Sequence, residues 1–103
     1  MSDGVLAQSA SGLRQLKLLV ALKELIDERG IIEAWSKDII ERAAETDLDG
    51  VGFAQDAELM KANGWVDFEE SLVGVDSLRI KQYGRDVVAK FIESRDSAWE
   101  RQR

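Results

Sequence analysis

The spacing of apolar residues along the chain first predicts a long helix. Between residues 13 and 29 the leucines recur at helical intervals with charged residues opposite them, and Gly30 follows where a glycine commonly ends a helix. Residues 1–11 are rich in Ser, Ala and Gly and lack periodicity, so we predict a flexible N-terminal tail. The apolar arc of the predicted helix contains Leu18, Leu19, Leu22, Leu25 and Ile26.

Two shorter helices are predicted in the middle of the chain. Ile31-Ile32 indicates a brief strand, and Ser36 is a suitable N-cap for a helix that continues through residues 39–44. A polar turn at residues 46–50 follows, and the next helix is expected to end at Asn63-Gly64. The apolar face of this third helix contains Phe53, Ala57 and Met60.

After Gly64 the apolar period changes to two, which indicates strands. Residues 65–68 and 77–80 are strand-like, and the polar stretch between them contains Gly74, which suits a turn. Helical spacing returns from about Gly84, so we predict a last helix that reaches near the C-terminus. The predicted fold class is α+β and mostly helical, with residues 12–103 in a single domain. We expect Trp65 and Phe68 to close its core.

This order of elements resembles that of a winged-helix domain, the winged form of the helix-turn-helix. Residues 59–66 are similar to the junction between the third helix and the wing, where a glycine with positive φ lets the helix end and the chain reverse. Residues 78–85 are similar to a wing strand that leads into a final helix. Over residues 13–92 the resemblance implies a three-helix core, a two-stranded wing hairpin and a C-terminal helix.

The charge distribution disfavours the ligand that this resemblance implies. In DNA-binding proteins of this type the third helix commonly enters the major groove and the wing touches the phosphate backbone. Residues 33–76, however, contain twelve acidic and three basic side chains within a chain of net charge -6. Affinity for DNA rests largely on contacts of Lys and Arg with phosphates. The third helix contains a single lysine, so it should bind DNA weakly. The polar candidates on that helix are Gln55, Asp56, Glu58, Lys61 and Asn63.

We therefore predict a non-enzymatic regulatory or adaptor module that acts through protein–protein contacts, with a DNA-binding transcription regulator as the alternative. The acidic surface could dock on a basic partner or imitate the charge of DNA; a solvated surface that only maintains solubility explains the same charges. The regulator alternative requires its basic side chains to converge on one face. The contact candidates for a protein or DNA are Gln55, Glu58, Lys61, Glu69, Glu70, Arg79, Lys81 and Arg85.

A second apolar strip on the first helix predicts contact with another helix. Trp99 lies in the charged segment 94–101, beyond the part of the last helix that one domain needs, and could anchor a contact. These features predict a homodimer through the terminal helices, although packing of the last helix on the first within one chain explains them equally well. The dimer candidates are Leu13, Leu16, Val20, Phe91, Arg95 and Trp99.

A degenerate EF-hand calcium loop is a minor alternative. Asp47, Asp49, Gly52 and Glu58 match positions one, three, six and twelve of that loop. Val51 offers no oxygen ligand at position five, and there is no second loop to pair with, so we predict no metal site.

Other chemistry is limited by the composition. The 103 residues include no cysteine and no histidine, which removes disulfides, thiol chemistry, the usual zinc ligand and the usual neutral-pH general base. We predict no catalytic residue and no cofactor. No apolar run approaches the roughly 18 residues of a membrane span, and the N-terminus lacks the features of a signal peptide. The predicted location is therefore cytoplasmic, without membrane contact.

Overall fold

The computed structural model describes residues 10–72 and 74–101, with side chains described at 12–72 and 74–94. Its elements confirm the α+β, mostly helical fold class. The predicted flexible tail lies outside the described residues up to position 9, and the first helix already includes Ala10. In chain order the elements are α1 (Ala10–Arg29), β1 (Ala34–Trp35), α2 (Ser36–Arg42), α3 (Gly50–Ala62), β2 (Val66–Asp67), β3 (Ser77–Ile80) and α4 (Gln82–Arg101).

The three strands form one small antiparallel sheet in the order β1-β3-β2. β3 is central: Leu78 pairs with Ala34 of β1, and Ile80 pairs with Val66 of β2. The strand predicted at Ile31-Ile32 is wrong, because β1 begins at Ala34. The Ile31 amide instead donates to the Ile26 carbonyl at the end of α1, over 3.2 Å, so this stretch terminates a helix.

The core is built around α1, which contacts α2, α3, α4 and the sheet. Leu18, Leu19 and Leu22 are fully buried, and burying each such side chain contributes roughly 1.5–3 kcal/mol. Trp65 and Phe68 are buried at the two sides of β2, which confirms the prediction that they close the core.

The turn from α3 into β2 depends on Gly64. Its φ of +79° lies in the left-handed region, which glycine enters without a Cβ clash. The amide of Gly64 donates to the Lys61 carbonyl and the amide of Trp65 to the Met60 carbonyl, both over 3.0 Å. This pair of bonds satisfies the last carbonyls of α3 and reverses the chain, as the sequence predicted for this junction.

The final helix starts at Gln82, two residues before the predicted start at Gly84. Gly84 occupies its first turn, where a Cβ would overlap the backbone carbonyl of Trp65 and would come within 3.0 Å of Ile80 Cγ1. The same carbonyl accepts the Lys81 amide over 2.9 Å. The glycine is therefore required by the close approach of α4 to the α3–β2 junction, and it does not mark the helix start.

The boundaries of α2 also differ from the prediction. Ser36 is its first helical residue and Trp35 is the N-cap, without a side-chain capping bond. The reason is that the Ser36 amide donates to the Asp76 carbonyl over 2.7 Å, which keeps Trp35 in the sheet. At the other end α2 stops at Arg42, because the chain adopts a left-handed conformation at Ala44, with φ of 59°.

Candidate interaction surface

Helix α3 has one face in the core and one face in solvent. Its N-cap is Asp49, whose Oδ1 accepts the Gly52 amide over 2.7 Å and satisfies one of the free amides at the helix start. The buried face contains Phe53, Asp56, Ala57 and Met60. The outward face contains Val51, Gln55, Glu58 and Leu59.

Asp56 is a core residue, so it is unavailable as a DNA-reading side chain. Its side chain is 3% exposed, and its carboxylate accepts Arg14 Nε at 2.6 Å and Arg14 Nη2 at 2.9 Å. Gln15 Nε2, also buried, donates to it at 3.2 Å. The hydrogen bond with Asp56 raises the pKa of Arg14. The network joins α1 to α3; its only sequence signal was the position of Asp56 between Phe53 and Met60 on the apolar arc.

The hairpin is braced by ion pairs that use Arg79 of β3. Its guanidinium bonds Glu69 at 2.8 Å, Asp67 at 3.4 Å and Glu33 at 3.6 Å. The bond with Arg79 lowers the pKa of Glu69, and the pKa of Asp67 is lowered first by the backbone amide of Phe68 and then by Arg79. Three acids therefore surround Arg79 and offset its charge.

Two more of the predicted contact bases have internal partners. Lys61 Nζ lies 3.4 Å from Asp67 Oδ1, donates to the Phe68 carbonyl over 3.1 Å, and stands 4.7 Å from the centroid of the Phe68 ring. Arg85 pairs with Asp27 of α1 at 3.1 Å. Lys81 is exposed and makes no ion pair within the described residues. Three of the four bases are therefore paired with acids of the same chain.

The carboxylate of Glu58 on α3 is influenced by Glu70 of the hairpin and by the positive charge of Lys61. Both acids are exposed, and no ion pair among the described residues reaches either carboxylate. The hydrogen-bonding contact with Glu70 and the repulsion between the two carboxylates raise the pKa of Glu58.

Beside this pair, α3 and the tip of the hairpin enclose an open groove of about 450 Å³, which we call the acidic groove. Val51, which is 70% exposed, lies on its α3 side, and Leu72, two residues before Gly74, is fully exposed at the hairpin tip. The groove is lined by Asp49, Gly50, Val51, Ala54, Gln55, Glu58 and Gly74. It therefore combines apolar surface with an acidic rim.

The predicted dimer residues are only partly brought together. Leu13, Val20 and Phe91 line one groove of about 360 Å³ between α1 and α4, with charged residues at its edge. Leu16 does not belong to this exposed strip, because it is 7% exposed and packs in the core. The side chains of Arg95 and Trp99 lie outside the described residues.

The EF-hand candidates do not converge in this structure. α3 begins at Gly50, so positions four to twelve of the candidate loop are helical, and Asp49 is used as the helix cap. A helix rises 1.5 Å per residue, which separates Asp49 from Glu58 by about 13 Å along the axis. Among the described side chains, no group of three carboxylates could hold a metal ion.

Searches of family models, curated proteins and solved structures produced no significant match to this chain. Within the part of the chain that the structure describes, no helix has the length and apolar character needed to cross a bilayer.

Proposed function

We propose that this protein is a non-enzymatic regulatory or adaptor module of the winged-helix type that acts through protein–protein contacts. The architecture supports the proposal because a helix, a short strand, two helices, a hairpin and a last helix follow one another. The first strand pairs with the second strand of the hairpin, and Gly64 ends α3 with a positive φ. These features agree with the resemblance seen in the sequence.

The protein-binding function is supported mainly by the basic side chains, which form ion pairs with acids of the same chain. Arg79 and Lys61, the bases nearest to the outward face of α3 and the hairpin, are both bonded to acids of the hairpin. Among the described residues neither Glu58 nor Glu70 forms an ion pair, although the charge of Lys61 acts on Glu58. Val51 and Leu72 are exposed. A surface of this kind repels duplex DNA and suits a protein partner that supplies positive charge and apolar contact.

DNA binding is the alternative, and a salt-dependent binding assay separates the two. With a labelled duplex of mixed sequence, fluorescence anisotropy is expected to show no binding at about 20 mM salt, because phosphate contacts require free Lys and Arg. Binding by the unmodified chain that weakens as salt rises to about 200 mM would refute the adaptor proposal.

In the same assay, a charge-reversal variant tests whether the hairpin corresponds to the wing of a winged-helix domain. Glu69→Lys with Glu70→Lys places two cations on the hairpin and releases Arg79 from one partner, so DNA binding should appear if the hairpin acts as a wing. The matched control is Asp86→Lys with Glu93→Lys on α4, which makes the same charge change on another element. Equal DNA binding by both variants would mean that the hairpin has no special role.

The homodimer and the cytoplasmic location stay predictions. The groove formed by Leu13, Val20 and Phe91 supports a contact with a second copy, since it leaves apolar surface between α1 and α4. Sedimentation velocity over a range of protein concentrations measures that association directly.

A further inference from the structure

We propose that the surface formed by Trp35 and the outer face of α2 binds the same surface of a second copy of this chain across a two-fold axis. The indole of Trp35 in each copy enters a hollow on α2 of the other copy. This inference rests on the proposed function, because it places the expected homodimer contact. It assigns that contact to a different surface from the groove between α1 and α4.

Trp35 presents a large apolar side chain to solvent. It is the last residue of β1 and the N-cap of α2, and it is 65% exposed, whereas Trp65 is buried in the core. The backbone beside it is held by pairing with Ser77 of β3 and by the bond from the Ser36 amide to the Asp76 carbonyl. An exposed indole on a fixed backbone is well suited to anchor a contact with another molecule.

A hollow that suits an indole lies next to Trp35 on the outer face of α2. It has a volume of about 400 Å³, within the range of sites that hold small molecules, so an indole ring fits. Ile40 is partly buried and packs on the core, and it contributes apolar surface to the hollow. The hollow is lined by Ser36, Lys37, Ile40, Glu41 and Thr46.

A two-fold contact requires a surface that complements itself, and this surface has both halves. A second hollow, of about 290 Å³, includes Trp35 and shares Ser36 and Lys37 with the first hollow. The indole and the site that would receive it are therefore adjacent. When two copies face each other across a two-fold axis, the same patch is used on both, so each indole can enter the other copy's hollow.

The charges of this surface also complement one another. Lys37 and Glu41 are exposed, and neither forms an ion pair among the described residues. With the two α2 helices antiparallel, Lys37 of one copy can meet Glu41 of the other, and its ammonium can also approach the incoming indole. The same register places Trp35 level with position 43 of the other copy, between Ile40 and Thr46 of its hollow.

Other occupants match this surface less completely. A DNA duplex would bring phosphates to the acids Asp38, Glu41 and Asp76, where Lys37 is the only base that lines either hollow. A different protein would have to provide an apolar hollow and both charges. A second copy already contains all of these, so it is the occupant for which the described residues supply each half of the contact.

Sedimentation velocity of the full chain between about 5 and 500 μM measures this association. Trp35→Ala should raise the dissociation constant of the dimer at least about thirtyfold, because a tryptophan at the centre of an interface is commonly a hot spot. Lys37→Gln should raise it about threefold. The matched control is Ile32→Ser, which removes an 80% exposed apolar side chain that lines neither hollow and should stay within about twofold. Unchanged urea midpoints confirm that the variants fold.

A mixing experiment tests the entry of the indole directly. Thr46→Tyr blocks the hollow from an exposed position, so it should weaken self-association as Trp35→Ala does. A mixture of the two variants should associate more tightly than either alone, because the intact indole of one meets the intact hollow of the other. The double variant Trp35→Ala/Thr46→Tyr, mixed with either one, is the control and should give no recovery. Absence of recovery in the first mixture would overturn the inference.

The same measurements separate this inference from the proposals on which it rests. A dimer that survives Trp35→Ala but is disrupted by Leu13→Ser would assign the contact to the groove between α1 and α4; the inference would then be overturned and the homodimer would stand. A chain that stays monomeric throughout would overturn both, without affecting contacts with a different protein. Salt-dependent DNA binding by the unmodified chain refutes the adaptor function itself.

Discussion

Asp56 and Glu58 are two residues apart on α3, yet their carboxylates have opposite environments. Asp56 points into the core, where Arg14 and Gln15 supply three hydrogen bonds. Glu58 points into solvent, where Glu70 of the hairpin raises its pKa and Lys61 lowers it. Two helical positions differ in direction by about 200°, so neighbouring acids reach different surroundings.

The difference teaches that the count of acids does not describe the surface. A buried carboxylate is tolerable only when hydrogen bonds and an opposite charge replace its hydration, which makes Asp56 part of the fold. An exposed carboxylate needs no partner, so Glu58 and Glu70 can remain unpaired and available for contact. Arg79 and Lys61 offset the charge of the hairpin acids Asp67 and Glu69, whereas Asp49 and Glu58 at the acidic groove have no ion pair among the described residues.

The largest expected loss of stability comes from breaking the ion pair of the buried acid Asp56. Arg14→Met removes the charge partner of a carboxylate that is 3% exposed, and should lower the free energy of unfolding by about 3–5 kcal/mol. Urea denaturation measures the loss. The control is Lys23→Met, whose partner Asp27 is on the surface, and it should cost no more than about 0.5 kcal/mol. Equal losses would mean that Asp56 gains no special stabilisation from Arg14.

Asp56→Asn removes the negative charge of the same Arg14–Asp56 ion pair instead of the positive one. Because the Arg14 side chain is 35% exposed, it can turn towards water when the carboxylate is lost. The loss of unfolding free energy should therefore be smaller than that of Arg14→Met in the same denaturation experiment. A larger loss for Asp56→Asn would contradict the view that the desolvated carboxylate dominates the cost.

An intermediate loss of stability is expected where Gly84 of α4 packs against the Trp65 carbonyl at the start of the hairpin. Gly84→Ala introduces a Cβ that overlaps the Trp65 carbonyl, so overpacking should lower stability by about 1–3 kcal/mol. Thermal or urea unfolding measures it. Gly50→Ala is the matched control, since its Cβ meets no atom within 4 Å and its effect should be within about 1 kcal/mol. A neutral Gly84→Ala would show that α4 can move away from the junction.

The smallest effect is confined to the titration of the exposed pair. Glu70→Gln should return the pKa of Glu58 towards its ordinary value of 4.5, because the hydrogen bond with a second carboxyl group and the repelling charge are both removed. NMR titration of the Glu58 side-chain carbons measures this. Glu69→Gln is the control, since Glu69 bonds Arg79 and should leave the pKa of Glu58 raised. An unchanged pKa in Glu70→Gln would remove the basis for the pairing of the two acids.

The sign of the pH dependence also separates the two kinds of acid. The pKa of Glu58 is raised in the folded chain, so its favourable contribution is complete below 4.5 and is lost as pH rises through the folded value. The pKa values of Glu69 and Asp67 are lowered, so their contributions are complete above 4.5 and 3.8 and are lost as pH falls through the folded values. Mild acid therefore relieves the Glu58–Glu70 contact before it weakens the bracing of the hairpin.

Local pattern was sufficient for the helices and the hairpin of this protein but not for β1, which was predicted at Ile31-Ile32 and lies at Ala34–Trp35. The leucine spacing of α1, the apolar face of α3 and the change to period two after Gly64 all predicted structure that is present. The positive φ of Gly64 was also readable from sequence, because a helix that reverses into a strand needs a residue without a Cβ. Helix ends were less accurate: sheet pairing of Trp35 displaced the Ser36 cap, and contact with Trp65 explained Gly84.

The partners of the charged side chains were decided only by the tertiary structure. Arg14 and Asp56 are 42 residues apart in the chain, and Arg85 and Asp27 are 58 apart, so no local pattern predicts their pairing. The sequence by itself determined the helices, the hairpin and the excess of acid, because these depend on neighbours within a few positions. Folding decided which acids are bonded and which face the groove, because only the packing of α1, α3 and the hairpin brings distant charges within hydrogen-bonding distance.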